Sequence, residues 1–306
     1  NLYDSMQSIA ITLVLVLGLI ILVISVLYSG QVVMPMKEVA GSIAMISSGD
    51  FNETMQITGY SEAEDISDKF NSMLSVLQNL EDARQEFVSN VSHELKTPIT
   101  SVKVLAESLI GQENVPVELY QEFMVDINEE LERMNKIIND LLTLVKMDKN
   151  ASEVNISEVN INEFLEAILK QLQPIADKRN IEMIFESVRS VTAQVDEVKL
   201  AMAFRNLIEN AIKYNYDNGW VRVSLNADHK FFYLKVSDSG VGIPEELQDS
   251  IFERFYRVDK ARSRETGGNG LGLAITRNAI LLHRGSIKVH SIEQQGTTFA
   301  VRIPLM

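Results

Sequence analysis

The stretch VSHELKTPIT, residues 91–100, contains one of only four histidines in the chain and lies inside a regular apolar stripe. The stripe recurs at intervals of three and four residues, a spacing that predicts an amphipathic helix. Its members are Val88, Val91, Leu95, Pro98, Val102, Leu105 and Leu109. His93 falls between them, so its side chain should point to solvent, and Thr97 shares its face. Pro98 lacks the N–H that the Glu94 carbonyl needs, so the helix should bend here.

An exposed imidazole beside a carboxylate suits nucleophilic chemistry. An imidazole with an unperturbed pKa of ~6.5 is largely neutral at pH 7 and can attack through one nitrogen. Glu94 could hold the proton of the other nitrogen and offset the positive charge that forms. A metal site is disfavoured because no second His or Cys lies nearby in the sequence. The alternative is a surface histidine near an incidental kink, and only a phosphoryl donor elsewhere in the chain can decide.

A second helix with the same spacing follows the first. The break GQENVP spans residues 111–116, and the new stripe consists of Ile127, Leu131, Met134, Ile138, Leu141 and Val145. Two long helices joined by a short loop predict an antiparallel hairpin. A lone hairpin with such a stripe lacks a partner, which favours a dimeric four-helix bundle.

The N-terminal region predicts a membrane helix. Residues 8–28, SIAITLVLVLGLIILVISVLY, contain no charge and no proline, and ~20 apolar residues suffice to span a bilayer. The basic start and cleavage site of a signal peptide are absent. Residues 8–28 should therefore contact lipid, leaving residues 1–7 as an extracytoplasmic stub. Lys37, the nearest positive charge, places residues 29–306 in the cytoplasm by the positive-inside rule.

Two short apolar seams separate this segment from the hairpin. The first consists of Met36, Val39, Ile43 and Ile46 and ends at Gly49; the second consists of Ile66, Phe70, Met73, Leu77 and Leu80. Each steps by three and four residues, as in a coiled coil. Their order after a membrane span, with a polar connector between them, resembles a HAMP signalling module over residues 29–82. That resemblance implies a parallel four-helix bundle formed by two chains.

Composition excludes several classes of protein. A net charge of −14 argues against nucleic-acid binding, because phosphate contacts need clustered Lys and Arg. The absence of cysteine excludes a disulfide scaffold, a thiolate metal site and a cysteine nucleophile. A length of 306 residues allows two or three modules with a real core.

Residues 155–306 alternate helical and strand patterns and carry three motifs suited to a nucleotide. Asn206 and Asn210 share one face of a predicted helix, and an amide oxygen suits Mg²⁺ that also borrows phosphate oxygens. The motif DSGVGI places Asp238 at the end of a strand, where its carboxylate could accept an exocyclic amine. In GGNGLGLAI, residues 267–275, glycines precede a helix whose N-terminal N–H groups can cradle phosphates.

These motifs, in this order, resemble a sensor histidine kinase. The resemblance rests on SHELKTP, NLIENAIKY, DSGVGI, IFERFYR and GNGLGL and covers almost the whole chain. It implies a homodimer with a dimerisation and phosphotransfer hairpin at residues 83–150. It also implies an ATP-binding α+β sandwich of the Bergerat type at residues 155–306, shared with gyrase and Hsp90. A bacterial cytoplasmic membrane and a cognate response regulator complete the implied setting.

The resemblance assigns roles by motif position. His93 matches the phosphoacceptor, Glu94 the acidic residue that activates it, and Thr97 the residue that orients water when the regulator is dephosphorylated. Asn210 matches the magnesium ligand, and Arg257 lies where an arginine can reach the γ-phosphate. The positions implied around ATP, besides Asn210, are Asn206, Lys213, Tyr214, Asp238, Gly240, Gly242, Phe255, Gly268, Gly270, Leu271, Gly272 and Thr297.

Two other classes of function compete with a kinase that also acts as a phosphatase. An ATP-hydrolysing machine on the same fold is disfavoured because related ATPases carry a water-activating Glu where this chain has Asn206. A scaffold that binds ATP without chemistry is disfavoured by the intact His93, Asn210 and Asp238. Incubation with γ-labelled ATP separates the three, because they yield acid-labile label on protein, free phosphate or neither.

Overall fold

The structure of the protein, a computed structural model, describes residues 2–47, 61–111, 115–149, 154–258 and 268–305. The chain divides into two compact units, residues 1–89 and 90–306. The predicted connector of the HAMP module, with Gly49, lies outside the described residues. So do the side chains of the first seam, Met36, Val39, Ile43 and Ile46.

The first unit begins with one long helix, α1, Leu2–Ser47. Its segment Ser5–Ser29 has a mean hydropathy of 3.2 and none of its most apolar window is buried, so it is long and apolar enough to cross a membrane. Helix α2, Ser61–Ile110, starts in this unit. Within the second predicted seam, Phe70 is buried, whereas Met73 and Leu80 are exposed in the single chain.

The second unit contains the rest of α2 and helix α3, Val117–Lys149, joined by the short segment 111–116. Helix α2 continues through Pro98, which is buried, so the proline does not end the helix. His93 is exposed, as the stripe predicted. On α3, Ile137 and Leu144 are buried. The two predicted helices are therefore present, and their pairing with a second chain remains a prediction.

Residues 157–304 contain a mixed five-stranded sheet with helices packed against it, in agreement with the predicted combination of helices and strands. The strands are β1 Ser157–Asn160, β2 Glu182–Ser187, β3 Thr192–Val195, β4 Trp220–Ala227, β5 Phe231–Asp238, β6 Ser286–Ile292 and β7 Gly296–Pro304. The helices are α4 Ile161–Asp177, α5 Glu197–Lys213 and α6 Gly272–Leu282. The main sheet has the order β2-β4-β5-β7-β6, with only β2 and β4 parallel. Strands β1 and β3 pair separately.

Alternation along the strands and capping of the helices explain this layered arrangement. In β5, Phe232, Leu234 and Val236 are buried and alternate with less buried residues, as expected for a sheet with one face on a core. Asp196 caps α5 by accepting a hydrogen bond from the Lys199 N–H at 3.0 Å, a common role for an aspartate that precedes a helix. The end of β5 and the start of α6 border one cavity.

Candidate active site

A cavity of about 560 Å³ lies between α3, α5, the end of β5 and the start of α6. The cavity collects most of the residues predicted around ATP, namely Asn206, Asn210, Tyr214, Asp238, Gly242, Arg257, Gly268, Gly270, Gly272 and Thr297. Four other predicted positions, Lys213, Gly240, Phe255 and Leu271, do not line its wall. Residues more than 90 positions apart in sequence are therefore brought to one site by the sheet.

Asp238 forms the buried polar end of this cavity. Its Oδ1 accepts hydrogen bonds from the Gly240 N–H at 2.9 Å and the Thr297 N–H at 3.2 Å. Among the described residues, no group donates to its Oδ2. Burial raises the pKa of the Asp238 carboxyl to about 6, although the two N–H donors lower it. A carboxyl with this pKa is mostly ionised at pH 7 and has one oxygen left to accept an amine.

The glycines beside Asp238 serve the packing of the backbone more than the approach of a ligand. A Cβ on Gly240 would lie 2.3 Å from the Tyr214 carbonyl oxygen, and one on Gly242 would lie 2.1 Å from the Ile292 carbonyl oxygen. Gly242 also has a φ of +71°, which disfavours other residues. Gly240, one of the positions that the resemblance implies around ATP, thus lacks a side chain because the Tyr214 carbonyl occupies that space.

The glycines before α6 shape the opposite end of the cavity. Gly270 has a φ of +69°, and a Cβ there would lie 2.6 Å from the Phe255 carbonyl carbon. The Phe255 N–H donates to the Gly270 carbonyl at 2.9 Å. Phe255 thus supports the glycine loop from behind, and Leu271, which is fully buried, anchors it to the core. Neither residue needs to touch a nucleotide to serve the site.

The two asparagines on α5 are in different environments. The Asn206 Nδ2 donates to the Thr276 Oγ1 on α6 at 3.1 Å, so this side chain ties the two helices together. Asn210 lies one turn further along and lines the same cavity. Within the described part of the chain, its amide makes no side-chain hydrogen bond. Asn210 therefore offers an uncommitted amide oxygen, which fits a magnesium ligand.

Positive charges cluster around Gly268. A Cβ on Gly268 would lie 2.7 Å from the Lys213 Nζ. The pKa of Lys213 is lowered to about 8, first by burial and then by repulsion from Lys136, Arg257 and other cations. A bound anion would relieve both effects, since it would compensate the buried charge and the repulsion. This end of the cavity suits phosphate groups.

Arg257 connects the cavity to the histidine-bearing helix. Its side chain is only 10% exposed, and its Nη1 lies 3.9 Å from the Glu94 Oε1. Its Nε and Nη2 are buried and have no hydrogen-bond partner among the described residues. Buried guanidinium donors normally find partners, and phosphate oxygens match their geometry. Arg257 thus borders the phosphate end and approaches the residue next to His93.

The remaining predicted residues lie on α2. The Thr97 hydroxyl donates to the His93 carbonyl oxygen at 3.2 Å, so the two share one helix face as predicted. His93 and Thr97 are exposed, and neither lines the cavity. Glu94, the neighbour of His93 on α2, lies 3.9 Å from Arg257, so His93 lies next to a contact between α2 and the α+β region of residues 155–306.

Sequence reasoning missed the contribution of α3 to this site. Lys136, Asp140 and Thr143 line the cavity, and the Asn269 Nδ2 donates to the Asp140 Oδ2 at 2.7 Å. The predicted apolar stripe of α3 could not show this contact. Its members Leu131, Ile138 and Val145 are exposed, whereas Ile137, Leu144 and Met147 are buried. Asn269 lies inside the glycine motif, but the motif is defined by the neighbouring glycines and does not indicate this hydrogen bond.

The sequence matches two known families in the expected order. Residues 83–150 match the His Kinase A (phospho-acceptor) domain. Residues 195–306 match the histidine kinase-, DNA gyrase B- and HSP90-like ATPase family. The first match contains His93, and the second contains the asparagine, aspartate and glycine motifs that line the cavity.

Similar proteins agree with these matches. The sensor protein kinase WalK of Staphylococcus epidermidis is 36% identical over 281 residues, covering 90% of this chain and 44% of the relative. A WalK of Staphylococcus aureus is 37% identical over 276 residues, covering 88% and 64%. The chain therefore spans less than two thirds of either relative.

One solved structure supports the fold. The crystal structure of histidine kinase ThkA in complex with response regulator protein TrrA has a TM-score of 0.57 at 24% identity. The similarity covers 82% of this chain and 68% of that one. With a phospho-acceptor domain followed by a histidine-kinase-type ATPase domain, and WalK relatives along most of its length, the chain belongs to the sensor histidine kinases of two-component systems.

Proposed function

We propose that this protein phosphorylates His93 with ATP and then passes the phosphoryl group to an aspartate of a response regulator. The observation that carries the proposal is the position of Arg257. Its buried, unpartnered donors border the phosphate end of the cavity, while its Nη1 lies 3.9 Å from Glu94, the neighbour of His93. A direct test is incubation with γ-labelled ATP, which should place acid-labile label on the protein.

The nucleotide would lie with its base at Asp238 and its phosphates at Gly268. The uncommitted Oδ2 of Asp238 would accept the exocyclic amine of adenine. Lys213 and Arg257 would neutralise phosphate charge, which is the main requirement of phosphoryl transfer. The Asn210 oxygen and the phosphates would hold Mg²⁺, which when bound neutralises charge on the phosphate oxygens.

The first step is attack by one nitrogen of the neutral His93 imidazole on the γ-phosphorus. The bond between that phosphorus and the β–γ bridging oxygen breaks, and ADP leaves with the electron pair. Glu94 takes or hydrogen-bonds the proton of the other ring nitrogen, so the phosphorylated ring does not keep a full positive charge. In the second step a carboxylate oxygen of the regulator attacks the phosphorus, the bond between phosphorus and the ring nitrogen breaks, and that nitrogen keeps the electron pair while Glu94 returns the proton to the ring.

The architecture around this chemistry is also proposed. Residues 8–28 would span the bacterial cytoplasmic membrane after a stub at 1–7, and residues 29–306 would lie in the cytoplasm. The proposed modules are HAMP at 29–82, a hairpin pairing with a second chain into a four-helix bundle at 83–150, and the ATP-binding domain at 155–306. The exposed apolar Leu131 and Val145 on α3 support a partner helix.

Nucleotide affinity should fall as the pH is lowered, because the Asp238 carboxylate becomes protonated. The carboxyl pKa is about 6 in the free protein, and an ionised carboxylate accepts the adenine amine more strongly than its protonated form does. Affinity should therefore be full above pH 7 and drop about tenfold between pH 7 and pH 5. Calorimetric titration with ATP across this range measures the drop.

The matched control for this titration is Asp238→Asn. An amide can still accept the Gly240 and Thr297 N–H groups but does not titrate. Its affinity should be lower at every pH and should vary only through the phosphates of ATP itself. If wild type and Asp238→Asn follow parallel curves, Asp238 does not control binding.

Thr97→Ala should separate the two activities. Thr97 lies on the His93 face, and its oxygen can orient a water towards an aspartyl phosphate, but it takes no part in attack on ATP. We expect autophosphorylation within about threefold of wild type and phosphatase activity reduced by about tenfold or more. Labelled, phosphorylated regulator provides the phosphatase measurement.

Thr100→Ala is the matched control for Thr97→Ala. Thr100 is exposed and donates to the Lys96 carbonyl oxygen at 2.8 Å, the same type of bond one turn further along. Thr100 lies two turns from His93 along α2, so its loss reproduces any effect on the helix without removing the hydroxyl one turn from His93. Equal effects of the two substitutions on phosphatase activity would contradict the role of Thr97.

A further inference from the structure

Helix α3 and the glycine loop are joined by a polar contact to which no role has been given. The Asn269 Nδ2 donates to the Asp140 Oδ2 at 2.7 Å, and both residues line the cavity. Asn269 lies in the loop just before α6, and Asp140 lies on α3. Apolar packing continues beside the contact, because Leu144 and Met147 of α3 belong to the core of the ATP-type domain.

Both polar atoms of the Asn269 amide make hydrogen bonds. Its Oδ1 accepts the Leu271 N–H at 3.1 Å and so closes the turn that begins α6. Its Nδ2 is therefore directed at α3. If the amide were flipped, its oxygen would face the Asp140 carboxylate oxygen and its NH2 group would face the Leu271 N–H. A hydrogen bond to a carboxylate is stronger than one between neutral groups. The contact thus fixes the glycine loop and α3 relative to each other.

Charges across the same interface oppose this docking. Lys136 and Arg133 of α3 repel Lys213 of the ATP-type domain, and their repulsion contributes to the lowered pKa of Lys213. A second polar link, between Arg257 and Glu94, is 3.9 Å long, beyond hydrogen-bond distance. The contact between Asp140 and Asn269 is a short polar link that counters the repulsion.

We infer that Asp140 and Asn269 are positioning residues that hold the ATP-binding domain on the hairpin of its own chain, with the phosphate end of the cavity towards His93. The inference rests on the proposed kinase function. Neither residue touches the reacting atoms in this role. Their contact acts through the placement of Arg257 and the glycine loop near the residue that follows His93.

The chain permits a reciprocal test of the contact. In Asn269→Asp, one carboxylate oxygen still accepts the Leu271 N–H, so the turn is kept, but the other faces Asp140. Two carboxylates at this distance repel each other or must share a proton. Adding Asp140→Asn restores a donor and an acceptor with the order reversed. Asp140→Asn alone keeps a hydrogen bond, because its amide oxygen accepts from Asn269.

The measurement is single-turnover autophosphorylation at saturating γ-labelled ATP, together with ATP affinity, on the full chain in membranes. Asn269→Asp should slow labelling at least tenfold while ATP affinity changes less than threefold. The double variant should recover to within threefold of wild type, and Asp140→Asn alone should slow labelling by less than Asn269→Asp does. Asp126→Asn, an exposed carboxylate on α3, controls for loss of charge from the helix.

Each outcome decides the inference. A double variant as slow as Asn269→Asp would indicate a local effect of charge at residue 269 and overturn it. Wild-type or faster labelling by Asn269→Asp would overturn it as well. Failure of the proposed function looks different, because the wild-type chain itself would then gain no acid-labile label. A merely structural role would lower ATP affinity in parallel with rate and would not be reversed by the second substitution.

Discussion

His93→Gln should abolish autophosphorylation and leave nucleotide binding unchanged. The imidazole nitrogen is the only proposed acceptor of the γ-phosphoryl group, and a glutamine amide nitrogen has no free lone pair with which to attack. His93 is exposed on α2 and does not line the cavity, so neither folding nor ATP affinity should depend on it. Acid-labile label from γ-labelled ATP should fall by at least about three orders of magnitude, as when a covalent nucleophile is removed.

A matched control separates this effect from the loss of any histidine. His290 is exposed on β6, away from the hairpin, and His290→Gln should label at the wild-type rate. ATP affinity should agree within about twofold among the three proteins, because exposed substitutions away from a site have small effects. Label that persists in His93→Gln and is lost in His290→Gln would place the acceptor elsewhere.

Sequence patterns predicted the fold where local periodicity agrees with the tertiary structure. The apolar stripes predicted helices where α2 and α3 lie, and the alternating patterns of residues 155–306 predicted the mixture of helices and strands found there. The β1 and β3 pair was missed, because strands of four residues are too short to show a period. Pairing register depends on contacts distant in sequence, which no local pattern contains.

The candidate site was predictable where a motif supplies its own chemistry. Asp238 and Asn210 were predicted because a carboxylate at a strand end and an amide on a helix face suit adenine and magnesium, and both line the cavity. The burial that raises the pKa of Asp238 to about 6 could not be read from DSGVGI, because it depends on β7 across the sheet. The hydrogen bond between Asp140 and Asn269 depends on how α3 packs against another domain, and no local sequence pattern contains that packing.

The same distinction explains the mixed outcome for the glycines. A glycine in a motif signals that a side chain does not fit, but the sequence does not say what occupies the space. At Gly240 the neighbour is the Tyr214 carbonyl, whereas at Gly268 it is the mobile end of Lys213. Only the second arrangement leaves room for a phosphate once the lysine shifts. The contribution of a glycine to a binding site must therefore be judged from the atoms that face it.

Asn210→Ala should remove magnesium-dependent labelling while the protein stays folded. The Asn210 side chain lines the cavity and makes no hydrogen bond to another described side chain, so its truncation leaves no protein group without a partner. Loss of a ligand to a metal that neutralises phosphate charge costs several kcal/mol in the transition state, so the labelling rate should fall at least about a hundredfold. Asn210→Asp keeps an oxygen ligand and should retain part of the activity.

The decisive measurement for Asn210 compares nucleotide binding with and without magnesium. With a chelator present, wild type and Asn210→Ala should bind ATP with similar affinity, because adenine is held at Asp238. With magnesium added, only wild type should bind more tightly. Asn226→Ala, an exposed asparagine on β4, serves as the control for asparagine loss and should follow wild type in both conditions. If Asn210→Ala gains as much affinity from magnesium as wild type does, the metal is held by other groups, and the amide oxygen on α5 has no part in placing the γ-phosphate for His93.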